Sequence, residues 1–356
     1  MAEFFLGANS SSGFFSLFDE LYFPSFDGRL FVIKGGPGTG KSFVMKKAAS
    51  EAEKRGYEVE RIYCSSDPDS LDAVIIPQLK TSIADGTAPH TIEPRFPGAV
   101  ETVVNLGEFW DTKTLYNNKE KIIEKTLSCT SCHERCIRFL KAYASLMNDC
   151  RSIERECVDS DKLSLFVQRT LLTEIGNEKT KKQGRVYKRF LSAVTPKGIT
   201  LFEDTVYEKA KRIICIDDEY SAVSEIIIEH VLKHAVKNGF DVISCLNPVD
   251  PKKRPEHIII PEKEICFFTR NSVNSLEKRS SKTIAANRFV SVSEMKKHSA
   301  RIGFNRRAAA ELLDEAVFSL ADAKFIHDAL EKFYINAMDF NSVGRKADNL
   351  IKEIFG

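Results

Sequence analysis

The sequence of 356 residues has no long apolar run and no excess of charge of either sign. Its apolar runs, such as those at 226–228 and 258–260, are far shorter than the roughly 20 residues that a membrane-spanning helix needs. Basic side chains number 52 and acidic ones 50, which gives a formal net charge of +2. Such a balance creates no overall field that would attract nucleic acid or an anionic membrane, so neither is expected as a partner.

Cysteine is sparse and scattered, which argues against a secreted domain held by disulfides. The nine cysteines are an odd number and are spread from Cys64 to Cys266. No basic segment precedes the short apolar stretch at 4–6, so the N-terminal sequence does not resemble a secretory signal. A cytoplasmic location is therefore predicted. Apolar residues at 43% and charged residues at 29% are typical of a folded globular protein, and the length favours two domains.

The chain contains an internal duplication. Five ordered segments recur at an offset of about 184 residues: 4–13 with 189–198, 29–33 with 212–216, 54–59 with 237–242, 67–68 with 250–251, and 74–77 with 258–261. A fixed period of this kind indicates a repeated structural unit. We predict two homologous halves, 1–176 and 189–356, joined by a polar, basic linker at 177–188 that contains Gly184.

Each half has the hydrophobic pattern of a βαβ unit followed by a long stretch of sequence with helical periodicity. Strands that alternate with helices predict an α/β fold with a parallel sheet flanked by helices in each half. The predicted strands are 29–34, 57–64 and 80–84 in the first half and 212–217, 240–246 and 264–268 in the second. The predicted helices are 42–55, 113–157, about 221–238 and 304–354.

Residues 35–42 read Gly-Gly-Pro-Gly-Thr-Gly-Lys-Ser and lie directly between a predicted strand and a predicted helix. This is a complete G-x-x-x-x-G-K-[ST] pattern, in which glycines let backbone N–H groups surround phosphates and the helix N-terminus adds partial positive charge. Lys41 is predicted to contact the β- and γ-phosphates of ATP, and Ser42 to bind Mg²⁺. The predicted nucleotide-binding residues are Gly35, Gly36, Pro37, Gly38, Thr39, Gly40, Lys41, Ser42 and Phe43.

An acidic residue at the end of a neighbouring strand is expected to complete the metal site. Asp85 follows the predicted strand 80–84 and is the best candidate, with a turn-forming role as its alternative. Asp67, Asp69 and Asp72 are the second choice; most of them are expected to form turns or caps, although one, for which we name Asp67, could position the attacking water. His90 is interpreted as a hydrogen-bonded loop histidine rather than a base.

The second half lacks the phosphate loop at the corresponding position. Residues 217–225 there read Asp-Asp-Glu-Tyr-Ser-Ala-Val-Ser-Glu, and Thr269 corresponds to Asp85. Three acidic side chains should repel a nucleotide. This half is predicted to pack against the first as a pseudo-dimer, to supply a cation such as Arg270 to the first site, or to bind another ligand.

Cys129, Cys132, His133 and Cys136 could be drawn as a metal set, but the surrounding sequence is helical. Positions i, i+3 and i+7 of a helix form one stripe. A buried thiol stripe is the favoured interpretation, and metal binding is the alternative.

The motifs resemble those of the P-loop NTPases. More narrowly, the chain looks like a poorly characterised family of duplicated bacterial ATPase-like proteins, on the strength of a DGTAPH turn at 85–90, FPGA at 96–99, NLGEFW at 105–110 and TPKG at 195–198. The resemblance covers nearly the whole chain and implies an ATP-binding fold for residues 35–42 and Asp85. Second halves in that family usually carry a P-loop too, and this chain departs from the family there.

The sequence thus predicts a Mg²⁺-dependent ATPase with one site in the first half. Lys41, Asp85 and Asp67 are its candidate catalytic residues, and Ser42 and Asp85 its candidate metal ligands. One alternative is a P-loop kinase that phosphorylates a small molecule. Another is a nucleotide-sensing interaction protein with little turnover, in which ATP orders the contact between the halves.

Overall fold

The computed structural model describes residues 2–178, 182–252, 255–278 and 280–356. The first half builds one six-stranded sheet and a β-hairpin. Its elements are β1 (Ala2–Phe5), β2 (Gly7–Ser10), β3 (Gly13–Ser16), β4 (Arg29–Lys34), α1 (Lys41–Lys54), β5 (Glu60–Tyr63), β6 (Leu71–Ile76), β7 (Thr81–Asp85), β8 (Glu101–Asn105), α2 (Thr112–Asn117), α3 (Lys119–Glu156) and α4 (Ser160–Thr170), which continues as a π-helix (Leu171–Ile175).

The second half repeats this plan with a second six-stranded sheet and hairpin. Its elements are β9 (Val186–Arg189), β10 (Ser192–Thr195), β11 (Gly198–Leu201), α5 (Glu203–Lys209), β12 (Arg212–Asp217), α6 (Ala222–Lys237), β13 (Val242–Leu246), β14 (Pro255–Ile260), β15 (Ile265–Arg270), β16 (Lys282–Ala285), α7 (Val292–Lys297), α8 (Ser299–Ile335) and α9 (Phe340–Phe355).

The two sheets have the same strand order. The first runs β1-β5-β6-β7-β4-β8, and the second runs β9-β13-β14-β15-β12-β16. The predicted two-halved α/β fold is therefore confirmed. In each sheet one strand, β6 or β14, is antiparallel to both neighbours, so the sheets are mixed rather than wholly parallel. The sequence prediction missed these two strands; a tight proline turn joins each to the next strand, and such a short connection requires antiparallel pairing.

Several predicted boundaries also differ from the structure. The predicted helix 113–157 is divided at Asn118 into α2 and α3, and the predicted helix 304–354 is divided between α8 and α9. Strand β9 begins inside the predicted linker 177–188, because its residues pair with β13. Residues 179–181 of that linker lie outside the described residues.

Alternate residues of the strands pack into different cores. Leu30 and Val32 of β4 join a large cluster that the two halves share, whereas Phe31 and Ile33 pack against α1. This period of two is what a strand buried on both faces dictates. Each sheet thus has one face toward the shared core and one face toward helices.

The terminal helix of each half packs against the other half. Val343, Ala347 and Leu350 of α9 join the core beneath α1 and the first sheet. Leu163 and Val167 of α4 join the core of the second sheet. Each core therefore includes a helix that the sequence repeat assigns to the other half.

The long helices α3 and α8 pack along each other. Cys129 lies by Ala323, Arg135 by Asp322 and Asp149 by Arg301, so the two helices run in opposite directions. Within the described ranges, no helix combines the length and the apolarity that crossing a bilayer requires.

Candidate functional site

The glycine-rich loop connects the carboxyl end of β4 to the first turn of α1. Gly38 and Gly40 have φ values of 67° and 92°, which favour glycine, and Gly40 is the residue from which α1 begins. The loop therefore lies at the edge of the sheet where α/β proteins bind ligands, and the N-terminus of a 14-residue helix points out of it.

The Lys41 ammonium lies between the loop and Asp85. Its Nζ is 3.1 Å from the carbonyl oxygen of Gly35, 2.6 Å from that of Gly36 and 3.5 Å from Asp85 Oδ2. The Lys41 and Asp85 side chains are only 11% and 14% exposed. The structure thus brings together two residues that the sequence predicted for the same site, although one lies on α1 and the other ends β7.

Asp85 has the turn-forming role that the sequence analysis gave as its alternative, and its metal-binding role stays a prediction. One carboxylate oxygen faces Lys41, while the other accepts hydrogen bonds from Thr87 N at 2.8 Å and Thr87 Oγ1 at 2.5 Å, which closes the turn after β7. Burial raises the pKa of Asp85 above its ordinary value, and Lys41 and Thr87 offset part of that shift.

Ser42 and Thr39 hold the loop in place. Ser42 Oγ accepts a hydrogen bond from Leu71 N at 3.0 Å, which ties α1 to β6, and Thr39 Oγ1 donates to the Gly36 carbonyl at 2.8 Å. A hydroxyl oxygen that accepts one bond retains a second lone pair. Ser42 and Asp85 are hard oxygen donors, the kind that Mg²⁺ prefers, so the donor set fits that ion. The Phe43 side chain is 53% exposed on the outer face of α1.

The C-terminal end of α8, from the second half, covers the loop. Glu331 Oε1 accepts a hydrogen bond from Gly38 N at 3.1 Å. A Cβ added to Gly36 would lie 2.6 Å from the Tyr334 ring, and one added to Gly38 would lie 2.9 Å from Ile335, so this approach requires glycine at both positions. A carboxylate therefore accepts a hydrogen bond from a backbone N–H group that a P-loop offers to phosphate. No sequence motif announced this contact, because Glu331 is 293 residues from Gly38.

The loop after β5 is held by ion pairs rather than by the phosphate loop. Asp67 Oδ2 is 3.7 Å from Lys324 Nζ on α8, and Asp69 Oδ2 is 2.7 Å from Lys197 Nζ in the turn between β10 and β11. The catalytic role of Asp67 stays a prediction.

The sequence analysis expected most of these aspartates to form turns or caps. Asp72 does neither, because it lies within β6 and is buried. Its Oδ2 is 3.3 Å from Nε2 of His90, and Cys64 lies beside both. Burial lowers the pKa of His90, but the neighbouring Asp72 carboxylate outweighs this effect and raises that pKa above its ordinary value. His90 lies in a loop, as interpreted, and its Nε2 faces Asp72, but its Nδ1 is buried with no hydrogen-bond partner among the described residues. The available signal was an aspartate inside an otherwise apolar six-residue strand.

At the corresponding edge of the second half, carboxylates take the amides at the start of α6. Asp218 accepts hydrogen bonds from Ser221 N at 3.0 Å, Val223 N at 2.9 Å and Ser224 N at 2.6 Å. Glu154 Oε2, from α3, accepts from Ala222 N at 3.2 Å. Two carboxyl groups of the chain itself thus accept the hydrogen bonds that this helix N-terminus offers.

Arg270 is engaged within the second half. Its guanidinium makes two hydrogen bonds to Asp217, at 2.6 and 2.9 Å. The suggestion that Arg270 supplies a cation to the first site gains no support from these contacts. One of the three acidic charges in this segment is thereby paired.

The thiol stripe of α3 faces α8. Cys136 is buried in a cluster with Leu140 and Leu320, and Cys129 Sγ donates to the Ala323 carbonyl at 3.6 Å. Among the described residues, two groups of His, Cys, Asp and Glu side chains are close enough to share a metal ion, and neither includes a stripe cysteine. Of the three stripe cysteines, Cys136 is buried, as the favoured interpretation expected, whereas Cys129 and Cys132 are partly exposed.

The chain matches no protein-family model, no curated protein and no solved structure at a significant level. The functional argument therefore rests on the local geometry of this chain alone. This geometry consists of a strand, a glycine-rich loop with left-handed residues, a lysine held against the loop and the carboxylate of Asp85 beside it.

Proposed function

We propose that the first half binds ATP together with Mg²⁺ and hydrolyses it at a single site. The observation that carries this proposal is the Lys41 ammonium, held against the Gly35 and Gly36 carbonyls and 3.5 Å from Asp85, at the N-terminus of α1. The backbone N–H groups of 35–40, apart from that of Pro37, which has none, would surround the phosphates, and Lys41 would neutralise the β- and γ-phosphates. Ser42 and Asp85 would hold Mg²⁺, which supplies charge neutralisation on the phosphate oxygens when bound.

A single site is proposed because side chains of the chain itself, Asp218 from the second half and Glu154 from the first, fill the equivalent position in the second half. Asp218 takes three amides at the start of α6 and Glu154 takes a fourth, so those donors are committed. A phosphate would have to displace two buried carboxyl groups, those of Asp218 and Glu154, from these amides. The second half would then serve as a structural or regulatory copy.

The Glu331 contact favours a second candidate function, a nucleotide sensor with little turnover. A triphosphate and the Glu331 carboxylate would compete for Gly38 N–H, and like charges at that distance repel. Binding of ATP would therefore displace the end of α8, and α8 packs along α3 over much of its length. In this candidate function the movement of α8 is the output, and hydrolysis is secondary.

The test compares Lys41→Ala with Lys54→Ala, an exposed lysine in the last turn of the same helix. ATP affinity measured by calorimetry with Mg²⁺ should fall at least about tenfold in Lys41→Ala, as expected for loss of a charged phosphate contact, and remain unchanged in Lys54→Ala. Equal affinity in both variants would show that the loop is not the binding site. Single-turnover phosphate release then separates the candidates, because tight binding with no release favours the sensor.

A further inference from the structure

We infer that Cys64, Asp72 and His90 form a zinc site. Cys64 directly follows β5, Asp72 is the second residue of β6, and His90 lies in the loop after β7. The three candidate ligand atoms all lie within 4.8 Å of one another. Zinc with ligands at about 2.0–2.3 Å in a tetrahedron separates them by roughly 3.3–3.8 Å, so small side-chain rotations complete the site.

Burial without partners is the second observation that points to a missing ligand. Asp72 is 4% exposed and His90 is 7% exposed. His90 Nδ1 has no hydrogen-bond partner among the described residues, and Asp72 Oδ2 lies 3.3 Å from His90 Nε2 without forming a hydrogen bond. Buried polar atoms are nearly always hydrogen-bonded, so the incomplete pairing of this cluster points to a missing ligand.

The surroundings hold the ligands in position. The His90 ring stacks on Phe18, with centroids 4.8 Å apart and planes at 18°, and meets the edge of Phe14 at 5.0 Å. A site whose ligands are fixed before binding loses little entropy when the ion arrives.

The second half provides an internal comparison. Asn247 directly follows β13, Glu256 is the second residue of β14, and Asn274 stands five residues after Thr269, as His90 stands five after Asp85. The acid is therefore retained, while amides replace the thiol and the imidazole. Asn247 Nδ2 donates to Glu256 Oε1 at 2.9 Å, so the cluster is partly closed by its own hydrogen bond. At these three corresponding positions, all within the described residues, the first half combines a thiol, an imidazole and a carboxylate, a ligand set that suits zinc better than Mg²⁺.

The location suggests a use for the ion. In the pairing of β6 with β7, Ala73 lies opposite Ala84, which puts Asp72 level with Asp85 at the same edge of the sheet. Three protein ligands leave a fourth position, which water occupies in catalytic zinc sites. The ion would therefore lie next to the phosphate loop but on different ligands from Mg²⁺.

The test measures metal content and a spectroscopic signature in the untagged full-length protein. Elemental analysis after dialysis against Zn²⁺ should give about one ion per chain, and Co²⁺ should produce a thiolate charge-transfer band. Cys64→Ser and His90→Gln should each lower zinc affinity by more than about tenfold and abolish or shift the cobalt band. Cys129→Ser, which removes a thiol of the α3 stripe, should leave both unchanged.

Two results would overturn the inference. One is folded wild-type protein, verified by circular dichroism, that takes up neither metal. The other is a folded Cys64→Ser protein with wild-type zinc affinity and an unchanged cobalt spectrum. If Cys64→Ser does not fold, the wild-type cobalt spectrum decides, because a band without thiolate character excludes Cys64 as a ligand. Neither readout depends on nucleotide binding.

Discussion

Phe5 and Phe190 exchange both of their backbone hydrogen bonds, each N–H donating to the other carbonyl at 2.9 Å. They are counterparts in the sequence repeat, so the contact relates the two halves by an approximate twofold rotation. Two further backbone bridges obey the same relation, Trp110 with Met338 and Val158 with Val290. The pseudo-symmetry therefore extends from the shared core to α4 and α9, the exchanged helices, each of which packs against the other half.

Replacing Glu331 by glutamine should raise the affinity for Mg²⁺–ATP by about tenfold. The change removes a negative charge from Gly38 N–H while keeping the size of the side chain, and a charge-assisted bond contributes about 1.5–3 kcal/mol. Calorimetric titration would measure it. Asp328→Asn, on the same helix and paired with Lys324, is the control and should have no effect. A lower affinity in Glu331→Gln would mean that α8 assists binding instead of competing.

Replacing Glu154 by glutamine should stabilise the protein at alkaline pH. Burial, followed by the neighbouring Asp218, raises the pKa of Glu154 well above its ordinary value. The folded state thus retains a proton that the unfolded chain releases above about pH 4.5, and stability is lost as pH rises through the folded pKa. Glutamine has no proton to lose, so its advantage over wild type should grow from pH 5 to pH 8 to at least about 1 kcal/mol. Chemical unfolding at several pH values would measure it, and parallel pH curves would contradict it.

Replacing Leu163 by alanine should weaken the second sheet, although Leu163 belongs to the first half in sequence. Its side chain is 1% exposed and packs in the core that contains Ile214 and Ile216. Loss of a buried leucine costs about 2–5 kcal/mol of unfolding free energy. Hydrogen exchange should become faster in β12 and unchanged in β4. Leu165→Ala, on the same helix but 57% exposed, should change stability by less than about 0.5 kcal/mol. Faster hydrogen exchange confined to the first sheet would contradict the packing of α4 against the second sheet.

Lys41→Ala should also reveal whether Asp85 depends on its partner. The ammonium lowers the pKa of Asp85, which burial raises, so removing it should raise that pKa further. The free energy of unfolding of Lys41→Ala should then fall more steeply between pH 5 and pH 8 than that of Lys54→Ala. Identical pH profiles in the two variants would show that the Lys41–Asp85 contact has no weight.

The parts of the fold that follow from local sequence were predictable. Strands 29–34 and 212–217 were predicted to the residue, because an apolar run is bounded by a turn on either side. The phosphate loop and the start of α1 were likewise encoded in one contiguous segment. The repeat then transferred the same plan to the second half.

The parts of the fold that depend on contacts between distant residues were not predictable from the sequence. Residues 71–76 form a strand because a tight turn returns them beside β7, and no periodicity distinguishes that from a buried loop. Glu331 reaches Gly38, and Leu163 reaches Ile214, only after the halves have packed. Cys64, Asp72 and His90 lie on three separate elements, and a single sequence gives no spacing rule that joins them.

The exchanged helices have a consequence for how such a chain could arise. A half-length ancestor with this fold could bury the apolar face of its last helix only against a second copy of itself. Two copies would then pair as a domain-swapped homodimer with an exact twofold axis. Fusing the two genes would preserve every contact and free one copy to replace its glycine loop with Asp218, since the partnership no longer required identical sequences.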